Sequence, residues 1–325
     1  MTRLSASPLF TRLLAVCCLA SVPVSARAAG VEVLPQADRI VVKVDGELLT
    51  ELRYTDSPKP YFYPLLGPGG VSVTRNFPMR KDADDEDKDH PHHRSLWFTH
   101  GDVNGVDFWA EGPEKGRIVQ EKVLEAKGGA DVGVIRTANR WVTAAGKGVL
   151  TDETTFRAHR HPAGRVLDYE ITLKASEGVD VTFGDTKEGT FGIRLAESMR
   201  LKQNKHYAGK PGGHILQDTA VKDGETWGKR ARWTAYSGPV GDKTMSVVVF
   251  DHPSNPRYPT WWHVRDYGLF AANPFGLHDF EKKPKGAGDL VLKSGDKLTF
   301  RYRLLIQSGE PDASKLNELA SALPK

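Results

Sequence analysis

The chain has 325 residues, 39% hydrophobic and 26% charged, which is the composition of a folded globular protein. Its 32 Gly and 20 Pro imply many turns, and no window after residue 30 approaches the ~20 apolar residues that cross a bilayer as a helix. Collagen, coiled-coil, disordered and polytopic membrane architectures are thereby excluded.

Residues 1–28 read as a secretory signal peptide. Arg3 and Arg12 form the basic start, Leu13 to Val24 a short apolar core, and Ala26-Arg27-Ala28 a small-x-small cleavage site. Cleavage would leave 42 Lys and Arg against 41 Asp and Glu, a net charge of +1. A charge so close to zero offers no overall case for a nucleic-acid partner. Cys17 and Cys18, the only cysteines, would leave too, so the mature chain would hold no disulfide, thiolate nucleophile or Cys-ligated metal. The expected location is the periplasm or the medium, with no membrane span in the mature chain, and residues 29–325 are expected to form one domain.

In chain order, Ile40–Val44 and Glu47–Leu49 flank Asp45-Gly46, the pattern of a two-residue hairpin. Strands are expected at Gly116–Leu124, Val132–Thr143, Leu150–His159 and Val166–Ala175. In the last, Leu167, Tyr169, Ile171 and Leu173 alternate with Asp168, Glu170, Thr172 and Lys174, so one face is buried and one wet. Phe191–Met199, Met245–Phe250 and Leu269–Ala272 continue the series, and Ser294-Gly295-Asp296 is expected to turn Leu290–Lys293 back into Lys297–Ile306. Only Pro311–Leu323 reads as helix, capped by Asp312 or Ser314, with Leu316, Leu319 and Leu323 on one face. Around sixteen strands without intervening helices predict an all-β fold, a large antiparallel two-sheet β-sandwich with a short C-terminal helix. The run Arg80–Asp89, RKDADDEDKD, is expected to be a solvated loop, since it lacks the spacing and glycine of an EF-hand.

Three clusters break the β pattern. His90–Trp109 holds four of the eleven histidines and two of the seven tryptophans. Imidazoles transfer protons near neutral pH, indoles match the apolar faces of sugar rings, and Asp, Asn and Arg bind hydroxyls. Arg94, His100, Asp102, Asn104, Asp107 and Trp109 are therefore candidate substrate-binding residues. Phe183–Gly192 adds Asp185, Lys187 and Glu188, where the Glu188 carboxylate reads equally as an ion-pair partner or as a general base. Asp251–Tyr267 adds Trp261, Trp262, His263 and Asp266, either a wall of a carbohydrate cleft or a plug of the core. His159 and His161 share one face of a strand but end in Pro162-Ala163-Gly164, which also suits a plain hairpin. Walker, GxGxxG, GxSxG and HExxH motifs are all missing, and no cofactor is expected. A zinc or copper site at His90, His92, His93 and His100 is the alternative use of the first cluster.

The strings PHHRSLWFTHGDVNGVDFW (91–109), ETTFRAHRHPAGRVLDYEITL (153–173), FGDTKEGTFGIRLAESM (183–199) and FDHPSNPRYPTWWHVRDYGLFAANPFG (250–276) resemble a bacterial family of exported proteins labelled "methane oxygenase PmoA-like". The label implies a metal-dependent oxygenase. A membrane methane monooxygenase subunit, however, is a multi-helix integral membrane protein, and this chain has no such spans. Members of the family look similar to the galactose-mutarotase-type supersandwich, which also occurs in sugar lyases and hydrolases. That resemblance implies a histidine acid and a glutamate base, and makes His92, His93, His161 and Glu188 the candidate catalytic residues.

The leading expectation is an exported carbohydrate-active enzyme of epimerase, lyase or hydrolase type, its partner a carbohydrate or sugar-derived small molecule. A non-catalytic carbohydrate-binding protein and a His-ligated oxygenase are the alternatives. The sharpest expectation is spatial: the three clusters should line one cleft, with Glu188 in it.

Overall fold

The structure, a computed structural model, describes residues 1–2 and 29–324; the expected signal peptide, with both cysteines, lies outside the described residues except for its first two. The described residues form eighteen strands. In the first third of the chain these are β1 (Val31–Pro35), β2 (Arg39–Val44), β3 (Glu47–Arg53), β4 (Tyr61–Phe62) and β5 (Leu96–His100). The middle contributes β6 (Arg117–Lys127), β7 (Val132–Val142), β8 (Gly148–His161), β9 (Gly164–Ala175), β10 (Val181–Phe183), β11 (Gly189–Arg194) and β12 (His214–Gln217). The last third adds β13 (Trp233–Val240), β14 (Lys243–Asp251), β15 (Trp261–Val264), β16 (Leu269–Asn273), β17 (Leu290–Leu292) and β18 (Lys297–Ser308). Two helices, α1 (Leu277–Glu281) and α2 (Ala313–Ser321), complete the set.

The strands build two eight-stranded antiparallel sheets. The first runs β1-β2-β3-β4-β5-β11-β16-β15, the second β12-β13-β14-β18-β9-β8-β7-β6, and β10 pairs with β17 in a small ribbon. Alternation sets which face is buried. In β9, Leu167, Tyr169, Ile171 and Leu173 point between the sheets, where they meet Phe98, Phe191, Phe300 and Tyr302. The expected all-β sandwich is therefore the observed fold. The β2–β3 turn has positive φ at Asp45 (51°) and Gly46 (74°), the left-handed pair that matches strand twist in a two-residue hairpin. Helix α2 starts where Asp312 accepts from the backbone N–H of Ser314 and Lys315. It packs Leu316, Ala320 and the following Leu323 on the outer face of the second sheet, against Trp233, Val248 and Leu305.

Four local expectations are corrected. Leu319 is 42% exposed rather than sharing the buried face of α2. The Ser294–Asp296 turn exists, but β17 pairs with β10, while β18 lies between β14 and β9 in the second sheet. Strand β11 stops at Arg194, and Glu197–Met199 is a single 3-10 turn. The acidic run is not a uniformly solvated loop, because Glu86 is 6% exposed and accepts from the backbone N–H of Asn76 and Phe77. Among the described residues no helix is long and apolar enough to cross a membrane.

Candidate active site

Strand register places Tyr61, Trp97, Gly192, Ala271 and His263 in one row across β4, β5, β11, β16 and β15. The row lies on the outer face of the first sheet, where Tyr61, Trp97 and Ala271 pack with Trp109 and Leu269, apart from the core between the sheets. A Cβ on Gly192 would come within 2.7 Å of the Trp97 indole, so glycine is what lets that ring lie over β11. One step along, Thr99 faces Thr190, and Trp261 faces Asn273. Trp97 Nε1, Trp109 Nε1, Thr99 Oγ1, Thr190 Oγ1 and His263 Nε2 are buried without a hydrogen-bond partner among the described residues. Buried polar atoms are nearly always paired in folded proteins, so this concentration on one face marks a place for water or a polar ligand.

The histidine segment is held above this face by buried charge. Arg75 and Arg194 are both fully buried, and both bond the Asp89 carboxylate. Arg75 also donates to the carbonyls of Phe77, Asp87, Asp89 and His90, which fixes the chain just ahead of the histidines. Glu197 Oε2 pairs with Arg200, which also takes Asp87. Burial alone would raise the Asp89 pKa, but its bond to His90 and the charges of Arg194 and Arg75 hold it well below the carboxylate range.

His90 Nδ1 lies 2.7 Å from Asp89 Oδ2. An ionised carboxylate only accepts, so Nδ1 carries a proton and donates it, and the neutral ring is the tautomer with its lone pair on Nε2. The His90 ring is stacked on Tyr267 (5.1 Å, 7°) and on His93 (4.8 Å, 9°). Arg194 Nη1 lies 3.3 Å from His93 Nδ1; arginine can only donate, so His93 is neutral and accepts. Burial, then the nearby His92 and Arg194, push the His93 pKa well below its usual value. His92, beside them, is lowered to about 4 by burial and by the charge of Lys59. Both imidazoles are thus held toward the neutral form. Lys59, 2% exposed, pairs with Glu111 at 2.9 Å, and burial lowers its pKa to about 8. Glu111 in turn receives Arg94 through two bonds of 2.7 and 2.8 Å.

Part of the expected convergence is present. The Glu188 carboxylate of the second cluster is near enough for its charge to act on His92 of the first and on Tyr267. Glu188 pairs with Lys187 at 2.8 Å and its side chain is 37% exposed. His263 joins from β15, donating Nδ1–H to the Lys187 carbonyl at 2.7 Å, and burial lowers its pKa to about 3. Trp261 lies on the same face, its Nε1 bonded to Glu281 and its ring under Arg230.

Other candidates lie elsewhere. His100 alternates to the inner face, where it packs against Phe275 and bonds the Gly184 carbonyl, and burial lowers its pKa to about 4. The four-histidine metal set is consequently not assembled, and among the described residues no three His, Cys, Asp or Glu side chains are placed to hold a metal. Asp102 and Asn104 are engaged in their own loops, by Gly105 N–H and by Thr182 N–H with the Asp180 carbonyl. Asp107 holds the Trp109 and Ala110 amides and Lys115. Asp185, 1% exposed, accepts from the backbone N–H of His278 and Gly288 and so anchors α1. Trp262 faces inward with its Nε1 on the Ala231 carbonyl. His161 caps the β8–β9 turn of the second sheet, accepting from Ala163 N–H. Asp266 sits in the β15–β16 turn, beyond the row.

Sequence reading valued His90 only as a metal ligand and passed over Asp89, Arg194, Tyr267, Lys59 and Glu111. An Asp-His pair closing an acidic run was the available signal; the two arginines that single out Asp89 from its neighbours were not visible.

Residues 39–321 match a family described as a family of unknown function, DUF6807. The chain belongs to it. No curated protein matches the sequence. Solved structures of similar architecture include an alpha-galactosidase from Lactobacillus brevis, at TM-score 0.45 and 8% identity, covering 86% of this chain and 39% of that one. A galactose mutarotase related enzyme from Lactobacillus acidophilus has TM-score 0.30 and 11% identity over 86% of this chain and 97% of its own. A Glycoside Hydrolase Family 97 enzyme from Pseudoalteromonas sp. strain K8, in complex with panose, has TM-score 0.33 and 11% identity over 87% and 36%. The DUF6807 chain thus spans well under half of the galactosidase and of the glycoside hydrolase.

Proposed function

We propose that this DUF6807 protein is an exported carbohydrate-active enzyme that moves a proton on a sugar, with His90 as the general base. The observation that carries this reading is the Asp89–His90 pair. Its geometry directs Nδ1–H at Asp89, so that the lone pair of the neutral ring is on Nε2, and it places a carboxylate behind the imidazolium that forms when Nε2 accepts a proton. The half-exposed ring stacks on His93, which stacks in turn on Trp97, on the sheet face where buried indole and threonine groups have no protein partner, and this suits a ligand rich in hydroxyls and presenting apolar ring faces. Glu188, the base expected from the resemblance, is on the same face but tied to Lys187, so it is assigned to substrate contact.

The test is saturation-transfer NMR for anomer exchange, together with ring C–H exchange in D2O, over a panel of reducing sugars and their uronic acids. His90→Gln should lower the rate on any accepted sugar by about 100-fold or more. Its affinity for that sugar should stay within about threefold. Full activity in His90→Gln sinks the assignment. Binding without turnover by the native protein favours the second reading, a carbohydrate-binding protein; the neutral, buried state of His93 and His263 is what speaks for it.

A further inference from the structure

Beside the row of aromatic residues, a groove opens between β12 and the β15–β16 turn. It is lined by Ile215, Asp223, Gly224, Trp227, Arg265 and Asp266, with about 630 Å³ of space including its open mouth. Its wall is continuous with the proposed site. Tyr267, stacked on His90, carries the Arg265 guanidinium 5.5 Å from its ring centre, and the same guanidinium lies 6.0 Å from the centre of the Trp227 ring. Each step is comparable with the width of one pyranose ring.

The polar groups here have capacity left. Neither the Arg265 guanidinium nor the Asp266 carboxylate has a hydrogen bond or ion pair from its side chain among the described residues, although their backbones are fixed by Leu269, Gly268 and Lys202. Trp227 Nε1 is a further buried donor without a partner. A forked guanidinium and a carboxylate each match a pair of adjacent hydroxyls, and an indole edge donor beside them adds a third contact. Elsewhere around the site the cations are matched: Lys59 and Arg94 by Glu111, Lys187 by Glu188, and Arg194 by Asp89.

We propose that this groove is a second sugar subsite, so that the substrate is an oligosaccharide of at least two units, one beside His90 and the next along Arg265, Asp266 and Trp227. The inference rests on the carbohydrate reading above and goes beyond it in naming chain length.

The experiment is isothermal titration of the full chain with mono-, di- and trisaccharides of glucose, galactose and mannose. The expected result is that, in at least one series, affinity rises tenfold or more from mono- to disaccharide. Arg265→Ala and Asp266→Ala should each remove most of that gain while leaving monosaccharide affinity within twofold. Arg265→Lys, which keeps the charge without the fork, should retain little of the gain. Monosaccharide binding with no gain on lengthening overturns the subsite and leaves the carbohydrate reading standing, as does a gain that survives Arg265→Ala and Asp266→Ala. Absence of binding in every series overturns both.

Discussion

The two sheets turn outer faces of opposite character to their surroundings. On the second sheet, polar residues across β9 and β18 meet in register: Arg303 forks onto Asp168, which also takes His159, and Arg301 takes Glu170. The apolar remainder is roofed by α2. On the first sheet, the outer face carries the indole N–H groups of Trp97 and Trp109, the hydroxyls of Thr99 and Thr190 and Nε2 of His263 buried and unpaired among the described residues, under a loop held by two fully buried arginines. What differs is satisfaction: one face closes its own hydrogen bonds, and the other leaves them open at a place shaped by Gly192 and Ala271.

The largest expected effect that would test this contrast is on Arg194. Arg194→Leu leaves Asp89 with Arg75 as its one guanidinium, beside His90, and removes a buried cation next to Glu197, so a loss of about 3–5 kcal/mol is expected in urea melts. A loss under about 1 kcal/mol would mean that the loop is not held by this charge network.

Acidification should also separate the sheets. His100 and His263, both in the first sheet, have pKa values lowered to about 4 and about 3, so each stabilises the fold above its unfolded value near 6.5 and loses that contribution as pH falls toward its folded value. Asp251, in the second sheet, is raised to about 7 by burial; it takes up a proton in the folded state first and so opposes the trend. With His92, also lowered to about 4, three histidines outweigh this one carboxylate, so stability falls as the pH drops from 6 to 5. His93, lowered in the same direction, steepens the fall. Calorimetric melting across that range is the check, and a midpoint that rises on acidification contradicts it.

The smallest effect belongs to the second sheet. Arg301→Ala removes a pair whose arginine side chain is 39% exposed, and about 0.2–1 kcal/mol is expected. A loss equal to that of Arg194→Leu would erase the distinction between the faces.

Much of this protein was legible locally because strands advertise themselves by period two. The alternation of Leu167, Tyr169, Ile171 and Leu173 with polar residues is visible without a partner strand, and so is the Asp45-Gly46 turn. The failures have a common physical origin. Ser294-Gly295-Asp296 does turn the chain, but a turn says nothing about which neighbours a long strand such as β18 will prefer. In the same way, Trp261 and Trp262 look equivalent in sequence, yet consecutive residues of a strand face opposite sides, so one bonds Glu281 outside and the other Ala231 within.

The sequence by itself therefore determined the fold class, most of the strands, the capped C-terminal helix and the segments in which chemistry concentrates, since each depends on side-chain period or on the backbone preferences of a few adjacent residues. Tertiary structure alone decided which members of those segments face one another. His90 differs from His92, His93 and His100 through Asp89, and Asp89 differs from the other acids of its run through Arg75 and Arg194, some fifteen and a hundred residues away in the chain. Hydrogen bonds and charge act over a few ångströms of space, and in an antiparallel sandwich that space is filled by residues whose separation along the chain carries no information about their distance.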